Sequence, residues 1–294
     1  MRIAFFGLPL AALLLDADGH ELVYAGICRA GATGTRRLRA KMRVDVVPNV
    51  NAAATLARVR AANPQLLVSW FWTTRLPPAL LKLAARGAIG VHPSLLPRHR
   101  GPDPYFWAID AGDAETGVTA HLLADEYDTG AILGRRAIAI DPEWNAWTLA
   151  KKLDRPSLAL LRDVVRAYAD GRAPVPEAQD EARATLAPAP SDDDLEIRWR
   201  WPAERIVRRI RAASPWPGAF TEIGGRAVAV TRARVAARFP RALEPGEAAV
   251  EDGVAVVRAG DTAVALLAGR LEENDDDLNA ADLAAVVVQS RGVP

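Results

Sequence analysis

Two side chains of this sequence, His92 and Asp128, have the chemistry and the surroundings to move a proton. His92 ends a short apolar run and enters a turn that Pro93 and Pro97 restrain. A histidine side chain changes its charge near neutral pH, so it can give or take a proton there. Asp128 begins an Asp-Thr-Gly turn. Because a carboxylate stabilises and orients a nearby imidazolium, the pattern predicts an acid–base pair.

Polar and basic residues follow the histidine closely. Ser94 lies in the proline turn, and Arg98 and Arg100 come after it. The planar donor set of arginine suits phosphate, so both arginines are candidates to hold a phosphate of the acceptor substrate. The alternative is that they are solvated surface residues. His99 and His121 are interpreted as structural or peripheral.

Strands and helices alternate along the first half of the chain. Apolar runs predict strands at 2–6, 21–27, 66–70 and 88–91, and helical patterns are found at 9–17, 52–62, 77–85 and 145–170. This alternation indicates a doubly wound, Rossmann-like α/β domain with a parallel sheet. Ligands of such sheets bind at the carboxyl ends of strands, and His92 lies at one of them.

The composition changes after residue 170. Residues 172–190 hold four prolines and are predicted to form a linker or wrapping segment. A helix is predicted from Pro202 to Ala213, and Gly/Pro turns and strand-like runs follow it. We therefore expect a catalytic domain at 1–190, which includes the linker, and a small, mainly β, OB-like barrel domain at 191–294.

Charge is divided within the expected second domain. Residues 205–241 contain nine arginines and a single acidic residue, Glu222, whereas residues 242–294 contain three arginines and eleven acidic residues. Two solvated faces of opposite charge would explain this pattern. The alternative is an arginine surface for a partner that carries phosphates, such as a nucleic acid or nucleotide.

The overall composition excludes several classes of protein. The 294 residues have a net charge of +1 and are 50% hydrophobic, which predicts a well-formed core and no strong global field. One cysteine, Cys28, excludes an internal disulfide, and with four histidines the chain is predicted to hold no metal. The apolar run 3–15 could be a signal peptide, but Gly7 and Pro9 favour a buried strand and helix. We expect a cytoplasmic protein without a membrane partner.

The segment around His92 and Asp128 resembles a known family. His92-Pro93-Ser94-Leu95-Leu96-Pro97 with Arg98-His99-Arg100-Gly101, then Thr116-Gly117-Val118-Thr119 and Asp128-Thr129-Gly130, is similar to the formyltransferases that use 10-formyltetrahydrofolate. Two later runs, 198–202 and 210–220, resemble the start of the C-terminal barrel in the methionyl-tRNA and aminosugar members. The resemblance covers roughly residues 1–270.

The resemblance implies a catalytic Asn–His–Asp trio. Its histidine matches His92 and its aspartate matches Asp128, but the asparagine position is Gly90. In the family, that asparagine would donate a hydrogen bond to the formyl oxygen as the oxygen gains charge. Loss of one such donor typically costs about 10²–10³ in rate. Three alternatives are compatible with a glycine at this position: another group donates the hydrogen bond (Thr73, Thr74 or protonated His92), the enzyme is slow, or it catalyses a different reaction.

The resemblance also implies where the co-substrate 10-formyltetrahydrofolate binds. The pterin ring needs a deep apolar slot edged by backbone donors. The positions that match the family's two pterin loops and its folate-binding turn are Trp72, Thr73, Thr74, Leu76, Ser94, Leu95, Leu96, Pro97, Asp125, Glu126 and Tyr127. For the aromatic residues at 70–72, ordinary packing in the core is the alternative.

The acceptor of the formyl group stays open at this point. A basic stretch at 29–43 and the arginine-rich segment 205–241 favour initiator Met-tRNA. The run Ser69-Trp70-Phe71-Trp72 instead resembles the aminosugar type, whose acceptor is a nucleotide-linked aminosugar. A methionyl-tRNA formyltransferase-like activity is preferred. A 10-formyltetrahydrofolate hydrolase and a non-catalytic relative that binds folate or RNA are the further alternatives.

Overall fold

The computed structural model describes residues 1–291, and the chain folds into two compact units. The first unit comprises residues 1–102, 116–138 and 152–188, and the second comprises 103–115, 139–151 and the residues from 189 onward. The domain limits of 1–190 and 191–294 stay predictions. No helix within the described part of the chain is long and apolar enough to cross a membrane.

The elements of the two units are as follows. The first sheet contains β1 (Arg2–Gly7), β2 (Glu21–Ile27), β3 (Asp45–Val46), β4 (Leu66–Trp70), β5 (Ala88–His92), β6 (Glu115–Leu122) and β7 (Ile132–Ala139). The second contains β8 (Ala219–Ile223), β9 (Arg226–Val235), β10 (Ala248–Glu251), β11 (Val254–Arg258), β12 (Ala263–Leu271) and β13 (Asp277–Asn279). The helices are α1 (Pro9–Ala17), α2 (Thr35–Arg39), α3 (Ala53–Ala62), α4 (Pro78–Leu81), α5 (Pro104–Ala111), α6 (Ala146–Ala169), α7 (Asp192–Leu195), α8 (Ala203–Ala212) and α9 (Ala280–Arg291).

The first sheet is mixed, with the strand order β3-β2-β1-β4-β5-β6-β7. The pairs within β1–β5 are parallel, as predicted, and the central residues Ile3–Phe6 are fully buried. The predicted parallel sheet is therefore confirmed for these strands, and β6, which runs antiparallel to β5, makes the whole sheet mixed. Antiparallel pairing sets Gly90 opposite His121 and His92 opposite Thr119, so β6 contributes side chains beside the end of β5.

Most predicted elements of the first half are confirmed, and one helix is shorter than predicted. The helix expected over 77–85 ends at Leu81, and the N–H groups of Ala85 and Arg86 donate to the oxygens of Pro64 and Gln65 instead of continuing it. The proline-rich segment 172–190 is predicted to be a linker or a wrapping segment. It pairs with the sheet at Ile132 and Glu177, and with the loop after β5 at Arg100 and Leu186, so the wrapping interpretation is the correct one.

The second unit has its own antiparallel sheet. Its order is β10-β11-β12-β9-β8, and β13 pairs with β12. The helix predicted from Pro202 to Ala213 is α8, and its Ile206 and Ile210 are fully buried. The mainly β character of this region is therefore confirmed, and the barrel stays a prediction.

Candidate active site

His92 lies at the carboxyl end of β5 and is almost fully buried, at 6% exposure. Its Nε2 lies 2.7 Å from the backbone oxygen of His99. A carbonyl oxygen can only accept a hydrogen bond, so Nε2 carries the proton that it donates. The other nitrogen, Nδ1, lies 3.4 Å from Oδ2 of Asp128. The fold therefore brings the two predicted proton carriers together.

Asp128 reaches this position through an unusual backbone conformation. Its φ is +57°, in the left-handed region that non-glycine residues rarely adopt. Its Oδ2 also accepts a hydrogen bond of 3.0 Å from the backbone N–H of Gly101. The carboxylate is therefore held by the loop after β5 as well as by its own turn.

A second buried histidine contacts the same carboxylate. His121, at the end of β6, places Nε2 3.6 Å from Oδ1 of Asp128, and its Nδ1 donates to the oxygen of Leu122 at 2.8 Å. Burial lowers the pKa of His121, although the charge of Asp128 opposes this effect. Of the two interpretations of His121, structural or peripheral, its contact with Asp128 excludes the peripheral one. The pairing of His121 with Gly90 across the two strands is the signal that could have revealed its position.

The hydrogen bonds of the two imidazoles constrain the protons of this trio. In their neutral forms, His92 and His121 would both present unprotonated nitrogens to the Asp128 carboxylate, because each gives its N–H to a backbone oxygen. A proton between Nδ1 of His92 and the carboxylate would make a hydrogen bond there, whereas burial disfavours the charged form of His121. The geometry therefore suits His92 and Asp128 to act as the acid–base pair.

The proline turn after His92 is closed by its own polar groups. The Ser94 hydroxyl donates to the oxygen of Arg98 at 2.6 Å. Thr119 donates to the oxygen of Ser94 at 2.7 Å and accepts from the N–H of Leu96 at 3.1 Å. Ser94 and Leu96 are buried, whereas Leu95 and Pro97 are partly exposed. The turn is thereby rigid.

The two arginines near this turn have different environments. Arg98 is exposed. Arg100 is buried at 7% exposure, and its guanidinium donates to Glu181 at 2.8 Å and to Gln179 at 2.7 Å. The hydrogen bond with Glu181 raises the pKa of Arg100. The guanidinium of Arg100 is thus bound by two side chains of the proline-rich segment, and its role as a phosphate ligand stays a prediction.

The aromatic run at the end of β4 belongs largely to the core. Trp70 is buried, and its indole N–H donates to Ser157 at 2.8 Å. Phe71 packs edge-on against Trp70, and Trp72 packs edge-on against Phe6. The packing interpretation therefore applies to Trp70. The indole N–H of Trp72 is buried without a hydrogen-bond partner among the described residues.

The other residues expected to contact folate lie in two loops. Leu76 is buried under the first loop, in which Thr73 and Thr74 are exposed. Asp125, Glu126 and Tyr127 form an exposed stretch immediately before Asp128. Within residues 1–291, no group of three or more His, Cys, Asp or Glu side chains is arranged to bind a metal ion.

Comparison with known proteins gives concordant matches in sequence. The sequence profile of the family described as "Formyl transferase" matches residues 40–165, and the profile "Formyl transferase, C-terminal domain" matches 191–285. The chain is 39% identical over 290 residues to the methionyl-tRNA formyltransferase of Anaeromyxobacter dehalogenans strain 2CP-C, covering 92% of this chain and 93% of that protein. It is 32% identical to the corresponding protein of Bacillus licheniformis, covering 90% and 89% of the two chains.

Solved structures show a similar fold. HypX from Aquifex aeolicus, in complex with tetrahydrofolic acid, superposes with a TM-score of 0.69 at 19% identity. The match covers 100% of this chain and 48% of HypX, so the chain spans about half of that protein. The N-formyltransferase from Helicobacter canadensis, in complex with folinic acid and dTDP-3-aminofucose, gives a TM-score of 0.66 at 12% identity, covering 90% and 98% of the two chains.

Proposed function

The chain belongs to the formyl transferase family, and from this membership we propose that it transfers a formyl group from 10-formyltetrahydrofolate to the amino group of methionyl-tRNA. The main support for this acceptor is the 39% identity to a methionyl-tRNA formyltransferase over 92% of the chain. The proposal also gives a role to buried His92 and partly buried Asp128, because the reaction requires the transfer of one proton.

The reaction is an exchange of one C–N bond for another. The acceptor amine attacks the formyl carbon, and the carbonyl oxygen becomes an oxyanion in a tetrahedral intermediate. The bond to the folate N10 then breaks, the proton lost by the amine ends on N10, and the oxyanion returns to a carbonyl. His92, supported by Asp128, would stabilise the oxyanion or carry the proton. Because Nε2 of His92 donates to His99, the reacting group must share or replace that hydrogen bond.

We propose that the formyl donor binds between the two loops that follow β4 and β6. The buried, unpartnered indole N–H of Trp72 supports this position, because a buried donor without an acceptor is costly and a polar ligand can satisfy it. The rest of the proposed folate site comprises Thr73, Thr74, Leu76, Ser94, Leu95, Leu96, Pro97, Asp125, Glu126 and Tyr127.

Gly90 is proposed to stand where the family has its catalytic asparagine. A Cβ added at Gly90 would lie 2.8 Å from Cδ2 of Leu123 and 3.8 Å from Nε2 of His121. An asparagine side chain would therefore project toward the same group of imidazoles. In its absence, we propose that a proton on His92 supplies the donor to the formyl oxygen.

The second unit offers a surface for the RNA backbone. Of the arginine-rich segment 205–241, Arg205 and Arg209 are paired with Asp110, but Arg232 and Arg234 on β9 are exposed. Exposed arginines on one strand suit contacts to phosphates. We also propose that this sheet curves toward an OB-like barrel, because the register of β12 against β9 shifts twice and such irregularities increase twist.

An acceptor screen tests the function. The purified protein and 10-formyltetrahydrofolate are incubated separately with initiator Met-tRNA, glycinamide ribonucleotide and nucleotide-linked aminosugars, and formylated product is measured. We expect formylation of Met-tRNA that is lost in His92→Ala. Formylation of an aminosugar alone would overturn the proposed acceptor. Release of formate without any acceptor would identify a hydrolase, and folate binding without turnover would identify a non-catalytic relative.

A further inference from the structure

The side chain of Gln179 connects the proline-rich segment to the turn that holds Asp128. Its Nε2 donates to the backbone oxygens of Asp128 and Gly130, at 2.7 and 2.8 Å. Its Oε1 accepts from Nε and Nη2 of Arg100, at 3.1 and 2.7 Å. The amide thus uses both of its N–H groups and its oxygen, and only an amide has both kinds of group at this length.

Gln179 contacts a turn whose backbone is in an unfavourable conformation. Asp128 has a φ of +57°, and a residue in such a conformation costs of order 1–3 kcal/mol unless its surroundings impose it. The two oxygens that Gln179 binds lie on either side of Thr129. They therefore fix the turn from which the Asp128 carboxylate projects toward His92.

The loop after β5 is the second structure that Gln179 restrains. His99 accepts from His92, and Gly101 donates to Asp128, so residues on both sides of Arg100 contact the acid–base pair. Arg100 itself is anchored by Gln179 and by Glu181, whose pKa the guanidinium lowers.

Backbone contacts from the same proline-rich segment complete this support. The N–H of His99 donates to the Thr185 hydroxyl at 2.9 Å, and the N–H of Arg100 donates to the Thr185 oxygen at 2.9 Å. The N–H of Ala187 donates to the oxygen of Arg100 at 2.7 Å. A Cβ on Gly101 would lie 2.7 Å from the oxygen of Ala187, so only glycine permits this approach.

We propose that Gln179 is a positioning residue for the reaction, which acts by holding the Asp128 turn and the Arg100 loop so that Asp128 and His92 face each other. The proposal rests on the function proposed above. It gives one residue of the proline-rich segment 172–190, predicted from composition to be a linker or wrapping segment, a positioning role in the reaction.

The test compares Gln179→Glu with Glu177→Gln. Gln179→Glu keeps the shape and the acceptor for Arg100 but sets a carboxylate oxygen against two carbonyl oxygens. We expect kcat for formyl transfer to fall by about 10²-fold, the cost of a misplaced catalytic group, while the KM for 10-formyltetrahydrofolate changes little. Glu177 lies in the same segment with an exposed side chain paired to Arg135, so Glu177→Gln should keep wild-type kcat.

A second measurement does not depend on the reaction. In ¹⁵N-labelled protein without substrate, the Gly101 amide proton should move upfield in Gln179→Glu, toward its position in Asp128→Asn, as its hydrogen bond to the carboxylate weakens. The proposal would be overturned if neither the chemical shift of the Gly101 amide proton nor kcat changed. It would also be overturned if kcat fell only in proportion to the fraction of folded protein. If the amide moves but the wild type transfers no formyl group, the proposed function fails and the positioning stands. Should Gln179→Glu not fold, Gln179→Ala receives both measurements.

Discussion

Two aspartates of this protein, one buried and one partly buried, have opposite kinds of surroundings. Asp110, in the second unit, is 4% exposed and is paired with two arginines, Arg209 at 2.7 Å and Arg205 through both of its Nη atoms. The guanidinium of Arg205 lies 4.5 Å from the centre of the Trp201 ring. Asp128, in the first unit, faces two imidazoles at 3.4 and 3.6 Å.

This difference distinguishes a carboxylate that stabilises the fold from one that can take part in proton transfer. Arginine is always protonated, so the Asp110 cluster has one fixed arrangement of protons. An imidazole, unlike a guanidinium, can change its charge near neutral pH, so the Asp128 cluster is not limited to one arrangement of protons. Burial of a carboxylate therefore does not by itself indicate a reactive site, whereas contact with titratable side chains does.

Asp128→Asn should have the largest effect on catalysis. The amide keeps the size of the side chain but cannot stabilise an imidazolium, so we expect kcat to fall by about 10²–10⁴-fold, as for the loss of a general acid–base group. His92→Ala should be equally inactive. Initial rates with Met-tRNA and 10-formyltetrahydrofolate measure this effect, and near-normal kcat in either variant would refute the assigned roles.

Asp110→Ala should reverse this pattern, with a large effect on stability and a small one on catalysis. The substitution leaves two arginines without their buried partner, which typically costs about 3–5 kcal/mol of unfolding free energy. Urea denaturation gives that free energy, and kcat is normalised to the folded fraction. A kcat that falls as far as in Asp128→Asn would show that the two clusters do not differ as we describe.

Gly90→Asn should raise activity by adding a neutral hydrogen-bond donor beside the imidazoles. Because Leu123 lies 2.8 Å from the added Cβ, the variant is best made together with Leu123→Ala. We expect kcat to rise, by up to about 10²-fold, if the donor is limiting. Leu123→Ala alone is the control. The absence of any gain in the double variant would mean that another group already fills this role.

His121 should give a smaller effect, on the pH dependence of stability. Burial holds its folded pKa below the ordinary value of 6.5. As the pH falls, the His121 side chain of the unfolded chain is therefore protonated before that of the folded protein, and this favours unfolding. The free energy of unfolding is unaffected by His121 above pH 6.5 and decreases below it, by at most about 1.4 kcal/mol per pH unit.

His121→Asn should therefore flatten the decline of stability below pH 6.5, measured by denaturation at a series of pH values. His20, whose pKa burial also lowers, is present in both proteins and provides the common background. Parallel curves for the variant and the wild type would contradict the argument.

Several elements of the first half, and the family, could be predicted from the sequence alone. Strands 21–27 and 66–70 and the helix 9–17 occur with the predicted limits, because continuous apolar runs and a proline at the first helical turn are local signals. The histidine and aspartate were also identifiable, since each lies in a short motif bounded by turn residues.

The surroundings of those two residues could not be predicted from the sequence, because they depend on contacts between distant segments. The antiparallel entry of β6 brings His121 to Asp128, and the return of the proline-rich segment places Gln179 against the same turn. The same segment also binds the guanidinium of Arg100, a residue that the sequence indicated as a candidate phosphate ligand. Some of these contacts join residues that are 27 to 81 positions apart in the chain, and the contact of His121 with Asp128 depends on the register of β6. A local sequence pattern does not specify which distant segment will supply a hydrogen-bond partner.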